Sequence, residues 1–172
     1  FDGEKGSYTE TDLPNSINEY ARSKIRAEYK VLESNNSVVI RLEPIYGYDQ
    51  ERKQIKVGTN TFESDLKVGY PEIVRKPVFI NDVPKVIYNL INNNQKGIYN
   101  IAGQDKVNWL DFLKSLASLT NVEEKVKVVD NSNWILKPPH DSTLDTSKIA
   151  SLGIKMTSFE SALKELKNIL SF

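Results

Sequence analysis

Tyr20 and Lys24 stand four residues apart in a stretch whose composition favours a helix, so both project from one face about one turn apart. A free tyrosine has a pKa of about 10 and exchanges protons poorly near neutrality. An ammonium beside it favours the phenolate and brings that value down. Such a pair can pass a proton to or from a substrate oxygen while hydride moves on the other side. The lysine has a second use, because its three N–H donors can hold the hydroxyls of a cofactor ribose. Tyr-x-x-x-Lys also arises by chance on surface helices, so the weight of the pair rests on what surrounds it.

The other residues with chemical potential point elsewhere. His140 is the only histidine and no carboxylate cluster at ligand spacing accompanies it, so no metal site is expected and His140 reads as a loop residue. The chain has no cysteine, which excludes disulfides, zinc-thiolate sites and a thiol nucleophile. Trp109 reads as core at the start of a helix. Trp134, among Asn and Ser, is either a surface-loop anchor or a wall on the substrate side. Arg75 and Lys76 read as a solvated basic pair, with contact to a substrate pyrophosphate as the alternative. Glu123-Glu124-Lys125 reads as a solvated turn.

Composition narrows the partners. The 172 residues carry 23 basic and 23 acidic side chains, a balance that argues against nucleic acid and against an anionic membrane surface. Hydrophobic content of 39% supports a globular fold. No apolar run is long enough for a membrane span. The polar start Phe1-Asp2-Gly3-Glu4 has no signal-peptide pattern, and a cytoplasmic location is expected.

The elements that must position the pair follow from periodicity and punctuation. The stretch through about Ile17 is loop, rich in Gly, Pro and Ser. A helix is predicted from about Asn18 to Glu33, with Tyr20, Lys24, Ala27, Tyr29 and Val31 on it, and Asn35-Asn36 ends it. The run Ser37–Leu42 is predicted to be a buried strand, stopped by Pro44, with Tyr46-Gly47 turning the chain. A short helix is expected near Phe62 to Val68 and an edge strand at Lys76–Ile80. Asn81 or Asp82 should cap a helix whose apolar face is Val83, Val86, Ile87, Leu90 and Ile91. A strand at Ile98–Ile101 follows Gly97. Asn108 should cap a helix to about Leu119, with Leu110, Leu113, Leu116 and Ala117 inward. Lys125–Val129 should be a strand. Thr157-Ser158-Phe159-Glu160 fits a capping box for a final helix to about Leu170. Strands alternate with helices, which makes the class α/β.

The run Phe1-Asp2-Gly3, Gly6-Ser7-Tyr8-Thr9-Glu10, Asp12-Leu13-Pro14 and Asn18-Glu19-Tyr20-Ala21-Arg22-Ser23-Lys24 with Ala27-Glu28 resembles a signature of extended short-chain dehydrogenases/reductases, closest to the dTDP-4-dehydrorhamnose reductase branch. Arg41 followed by Tyr46-Gly47 is similar to that family's next strand. Lys76-Pro77 with Asn81-Asp82-Val83, Gly97-Ile98-Tyr99-Asn100-Ile101-Ala102-Gly103, and Leu144-Asp145 with Lys148-Ile149 and Leu152-Gly153 resemble its later motifs, in the same order. The resemblance implies a Rossmann-like fold, with residues 1–48 as the remaining part of a dinucleotide-binding domain. It also implies that residues 49–172 form mainly a substrate-binding lobe, interleaved with the last sheet strands. The activity implied is reduction of a 4-keto sugar nucleotide by NADPH or NADH, dTDP-4-dehydrorhamnose to dTDP-rhamnose being the reaction of that family. By the same resemblance Tyr20 is the general acid, Lys24 tunes it and binds the nicotinamide ribose, Ile45 lies near the nicotinamide, and Pro44 faces the sugar.

Two features set this chain apart. The family's Gly-rich phosphate turn is absent, and the eight glycines never form the spacing Gly-x-x-Gly-x-x-Gly. An amino-terminal half of the same protein is therefore an expected partner, a second copy of the chain is another, and the chain alone is expected to be inactive. Without that half, apolar surface should be exposed. In addition, Pro44 stands where rhamnose-pathway members commonly carry a Trp, and Lys137-Pro138-Pro139 where they carry Arg-Pro. The proline near the end of the Arg41 strand resembles another branch, the beta subunit of methionine adenosyltransferase. That likeness implies an NADP-binding regulatory subunit as the alternative.

Overall fold

The computed structural model describes residues 1–15, 18–133 and 137–171. Trp134 lies outside the described residues, as does Ile17 at the end of the predicted opening loop. Helix α1 spans Glu19–Leu32. The Asn18 side chain accepts a hydrogen bond from the Ala21 amide, and Glu19 places negative charge in the first turn, where the helix dipole favours it. A short link leads to β1 (Val38–Leu42), then β2 (Ile45–Asp49), β3 (Gln54–Val57), β4 (Asn60–Thr61), β5 (Leu66–Val68), β6 (Val74–Arg75) and β7 (Val78–Phe79). Then come α2 (Asp82–Asn92), β8 (Gly97–Ile101), β9 (Val107–Asn108), α3 (Trp109–Ala117), β10 (Val126–Val128), α4 (Ser147–Ala150) and α5 (Phe159–Leu170).

Two parallel strands organise the part nearest Tyr20. β1 pairs with β8 from Val38 opposite Gly97 to Leu42 opposite Ile101. Val38 and Ile40 point to one side, onto a core built from Val78, Val86, Leu90, Tyr99, Ile101 and Ile149. A second core lies under the sheet ordered β4-β3-β2-β7, where Tyr46, Phe79, Phe112, Leu116 and Leu166 meet. β5 and β10 pair in parallel beside it.

The structure departs from the sequence expectations at several places, and β1, expected as a buried strand, is only half-buried, with Leu42 exposed. Tyr46 and Gly47 lie inside β2 rather than in a turn, because Tyr46 is 2% exposed and packs edge-on against Phe112. Gly47 is needed there for close approach, since a Cβ would sit 2.1 Å from Ile80 Cγ2. The segment expected as a helix near Phe62 to Val68 ends instead in β5, drawn into strand form by its pairing with β10. On α2 only Val83, Val86 and Leu90 of the expected face are buried, while Ile87 and Ile91 point outward. Asn81 makes no capping bond there. The capping box shifts by one residue. The buried Asp82 carboxylate accepts from Thr157 N and Oγ1 at 2.7 and 2.8 Å, so Ser158 becomes the cap of α5 and Glu160 pairs with Lys164.

The predicted strand at Lys76–Ile80 narrows to β7, which does stand at a sheet edge. The Asn108 cap of α3 forms, its side chain accepting from Asp111 N at 3.1 Å. Leu113, Leu116 and Ala117 are buried as expected, whereas Leu110 is only half-buried. No side chain of α1 is fully buried, and Tyr20, Tyr29 and Val31 are exposed on it.

Gly103 follows β8 where that strand passes the segment before β7. Its amide donates to Lys76 O at 2.8 Å, and a Cβ there would lie 2.0 Å from Pro77 O. Backbone cannot swing aside as a flexible side chain can. Gly103→Ala is expected to cost about 1–3 kcal/mol in urea unfolding, and an unchanged midpoint would show that this crossing is looser than described.

Candidate active site

α1 and β1 are joined by a link of few residues and pack together, so they run antiparallel and the start of α1 lies beside the end of β1. A bidentate ion pair fixes their alignment. Arg41 Nε donates to Glu28 Oε2 at 2.9 Å and Nη2 to Glu28 Oε1 at 2.5 Å, with both side chains largely buried. Counting up α1 from Glu28 at about 1.5 Å per residue, Lys24 lies roughly 6 Å and Tyr20 roughly 12 Å higher. Counting along β1 from Arg41 at about 3.3 Å per residue, Glu43 lies roughly 7 Å and Pro44 roughly 10 Å higher. Lys24 is thus level with Glu43, and Tyr20 with Pro44. Glu43 stands one residue past β1, with its carboxyl against Lys76 N and near Arg75 and Asp141.

These residues line one groove of about 730 Å³ that holds Tyr20, Lys24, Arg41, Glu43, Pro44 and Arg75 among its walls. It reaches the carboxyl end of the parallel strands, the usual ligand position in open α/β sheets. Tyr20 is 72% exposed at its mouth. The Lys24 ammonium stands 5.3 Å from the centre of the Tyr20 ring, within cation–π range. Pro44 follows the end of β1, and its carbonyl accepts from Val78 N at 2.8 Å. Of the four residues singled out in the sequence, Tyr20, Lys24 and Pro44 come together. Ile45 does not line the groove: it starts β2 and packs toward the core beneath β1 and β8.

Two residues differ from what their sequence context suggested. Arg75 is not half of a solvated basic pair. It is 8% exposed, and its guanidinium donates to the carbonyls of Val74, Pro139 and His140 at 2.6, 2.9 and 3.2 Å. The cause is tertiary, because the returning chain bridges β6 at Val74 and Asp141 and covers it. Lys76 reaches the Leu144 carbonyl at 3.4 Å. His140 is an exposed loop residue whose contribution is its backbone carbonyl. Trp109 is partly buried and stacks on Phe112 with ring centres 5.2 Å apart.

Glu43 went unnoticed in the sequence. Its amide donates to Ile101 O at 3.1 Å, its side chain is buried, and Lys76 N donates to its Oε2 at a long 3.4 Å. Burial pushes this carboxyl up to about 7, against the pull of Arg75 and Lys76. The available signal was a lone acid between Leu42 and Pro44, at the end of an apolar run.

Among the described residues no group of His, Cys, Asp and Glu could hold a metal ion, and no helix is long and apolar enough to cross a membrane. Tyr20 and Lys24 fit the ribose and nicotinamide end of a dinucleotide, since they offer a hydroxyl and a cation on one helix face. No Gly-rich turn among these residues fits its phosphates.

Comparison with known proteins bears on this groove. The RmlD substrate binding domain family matches residues 1–171. Methionine adenosyltransferase 2 subunit beta of Mus musculus is 28% identical over 179 residues, covering 96% of this chain and 53% of that protein. dTDP-4-dehydrorhamnose reductase of Aggregatibacter actinomycetemcomitans is 27% identical, covering 97% and 63%. The solved dTDP-4-dehydrorhamnose reductase of Bacillus anthracis in complex with NADP superposes with a TM-score of 0.77 at 23% identity, over 96% of this chain and 60% of that one. The last likeness carries the fold alone, which is Rossmann-like. The chain spans about half the length of the curated relatives it first matches.

The raised value at Glu43 has a consequence for stability. The folded state holds this proton more tightly than the unfolded chain does. The penalty is absent well below the ordinary carboxyl value, grows as pH rises toward about 7, and is complete above it. Glu43→Gln is therefore expected to gain on the order of 2–3 kcal/mol relative to the parent between pH 5 and pH 8, read from urea unfolding at both. An equal difference at the two pH values would mean that Glu43 is solvated.

Proposed function

This chain belongs to the RmlD substrate-binding domain family, and from that premise we propose that it supplies the acid–base pair and the sugar-side lobe of a nicotinamide-dependent sugar-nucleotide reductase. The observation that carries this reading is the placement of Tyr20 and Lys24 one turn apart on a groove at the carboxyl end of β1. The substrate class is a 4-keto sugar nucleotide, with dTDP-4-dehydrorhamnose as the first candidate, in keeping with the relative of that activity.

In this reading NADPH or NADH, when bound, supplies the hydride. The chain's own residues handle binding and the proton. The Tyr20 hydroxyl donates its proton to the keto oxygen as negative charge develops there. The Lys24 ammonium, 5.3 Å from the Tyr20 ring centre, holds ribose hydroxyls beside the reacting group. Pro44 presents an apolar wall to the sugar ring. The phosphates of the cofactor would be held by an amino-terminal half, which we also propose as the partner. Its seat is consistent with two features: β1 pairs only with β8 among the described strands, and α1 exposes Tyr29 and Val31.

A second reading is favoured by a specific observation. Relatives named methionine adenosyltransferase 2 subunit beta match over 96% of this chain, and Pro44 replaces the sugar-facing Trp. The intact protein would then bind NADP and serve a partner enzyme. The Tyr20–Lys24 pair makes the reductase the stronger reading.

NADPH oxidation by the intact protein with a dTDP-4-keto-6-deoxy sugar separates the two. Tyr20→Phe is expected to lower turnover by about 10²–10⁴-fold with NADPH affinity retained. Unchanged turnover in the variant would remove Tyr20 from the mechanism. Tight NADPH binding with no turnover in the parent would favour the regulatory subunit.

A further inference from the structure

We propose that Glu43 is a specificity-determining contact for this groove: its buried carboxyl, in the groove that Tyr20 and Lys24 also line, takes a hydrogen bond from a hydroxyl of the bound sugar ring. The inference rests on the reductase reading and adds a residue that the Tyr/Lys signature does not contain.

The geometry supplies the motive. A carboxyl taken out of water is costly unless hydrogen bonds replace those it had. Glu43 is 5% exposed and lines the groove, yet the one protein hydrogen bond to its carboxyl among the described residues is the 3.4 Å contact from Lys76 N. The neighbouring cation does not satisfy it, because Arg75 spends its guanidinium on three backbone carbonyls. Glu43 therefore has spare acceptor capacity in the groove it lines, and burial raises its carboxyl to about 7.

The charges nearby select the chemistry of the donor. Arg75 and Lys76 lie close enough to pull on Glu43, and Lys24 is on the facing helix. A cationic ligand group would be repelled by these three, and an ionised phosphate or carboxylate has no hydrogen to donate to Glu43. A neutral hydroxyl is left as the fitting donor. Its height beside Lys24 and Tyr20 places it on the reacting sugar rather than on the nucleotide.

The test is calorimetric binding of dTDP-L-rhamnose and of dTDP to the intact protein at pH 8, saturated with NADP⁺. The parent is expected to bind the sugar nucleotide more tightly than dTDP. Glu43→Leu should weaken dTDP-L-rhamnose about tenfold and leave dTDP unchanged. Glu43→Gln keeps the shape but loses the charge-assisted bond, and should weaken the sugar nucleotide about three- to tenfold. It decides the matter if the leucine variant does not fold. Both variants binding dTDP-L-rhamnose as the parent does would overturn the proposal and leave the reductase reading intact. A parent that binds neither ligand would remove the dTDP-sugar form of the reductase reading, and the proposal with it.

Discussion

The bidentate bond between Arg41 and Glu28 is the contact on which the placement of the site depends. α1 has no fully buried side chain, so hydrophobic packing alone does not set its height or rotation against β1. The paired guanidinium and carboxylate do, because a planar fork accepts only a narrow range of positions. Neighbours hold Arg41 in turn. Phe1 lies over its guanidinium at 5.4 Å and stacks on Tyr8, while Glu10 accepts from Asn100 N at 2.9 Å. The opening loop, the helix and the two parallel strands thus meet at one largely buried charge pair. Breaking one partner of such a pair leaves the other charge uncompensated, which is why the contact constrains more strongly than a surface salt bridge.

From that alignment the groove follows. Antiparallel travel of α1 and β1 brings the first turns of the helix to the carboxyl end of the strand, where Tyr20 and Lys24 stand beside Glu43 and Pro44. The far wall is made by a different device. Arg75 gathers the carbonyls of Val74, Pro139 and His140, so a loop distant in sequence is fixed against β6. Burying Glu43 in this frame costs stability at neutral pH. A costly group retained just past the end of a strand, in the groove that Tyr20 and Lys24 line, is the kind of local conflict expected at a functional site.

Much of this was legible in the chain. The Tyr20–Lys24 spacing, the Asn18 and Asn108 caps and the β-branched run into Arg41 each act through neighbours a few residues away, so they survive reading without coordinates. The failures share the opposite property. Tyr46-Gly47 looks like a turn until the aromatic core and Ile80 explain why a large ring and a missing Cβ stand side by side. Thr157 looks like a cap until Asp82, far away in the chain, takes its hydroxyl. Arg75 and Glu43 belong to this second group, since burial by a returning loop leaves no periodic trace. Ile45 follows the strand as the family pattern suggests, with its side chain on the core, which leaves the expected contact to its backbone.

The most direct test of the account is a double-mutant cycle on Glu28 and Arg41 in the intact protein, with kcat and KM measured for reduction of the sugar nucleotide. If the pair works as one unit that positions Tyr20 and Lys24, Glu28→Gln and Arg41→Gln should each lower kcat by about tenfold or more with KM nearly unchanged, and the double variant should be no worse than the poorer single. Independent, multiplying effects, or singles with unchanged kcat, would contradict the claim that this ion pair sets α1 and its Tyr20–Lys24 pair in place.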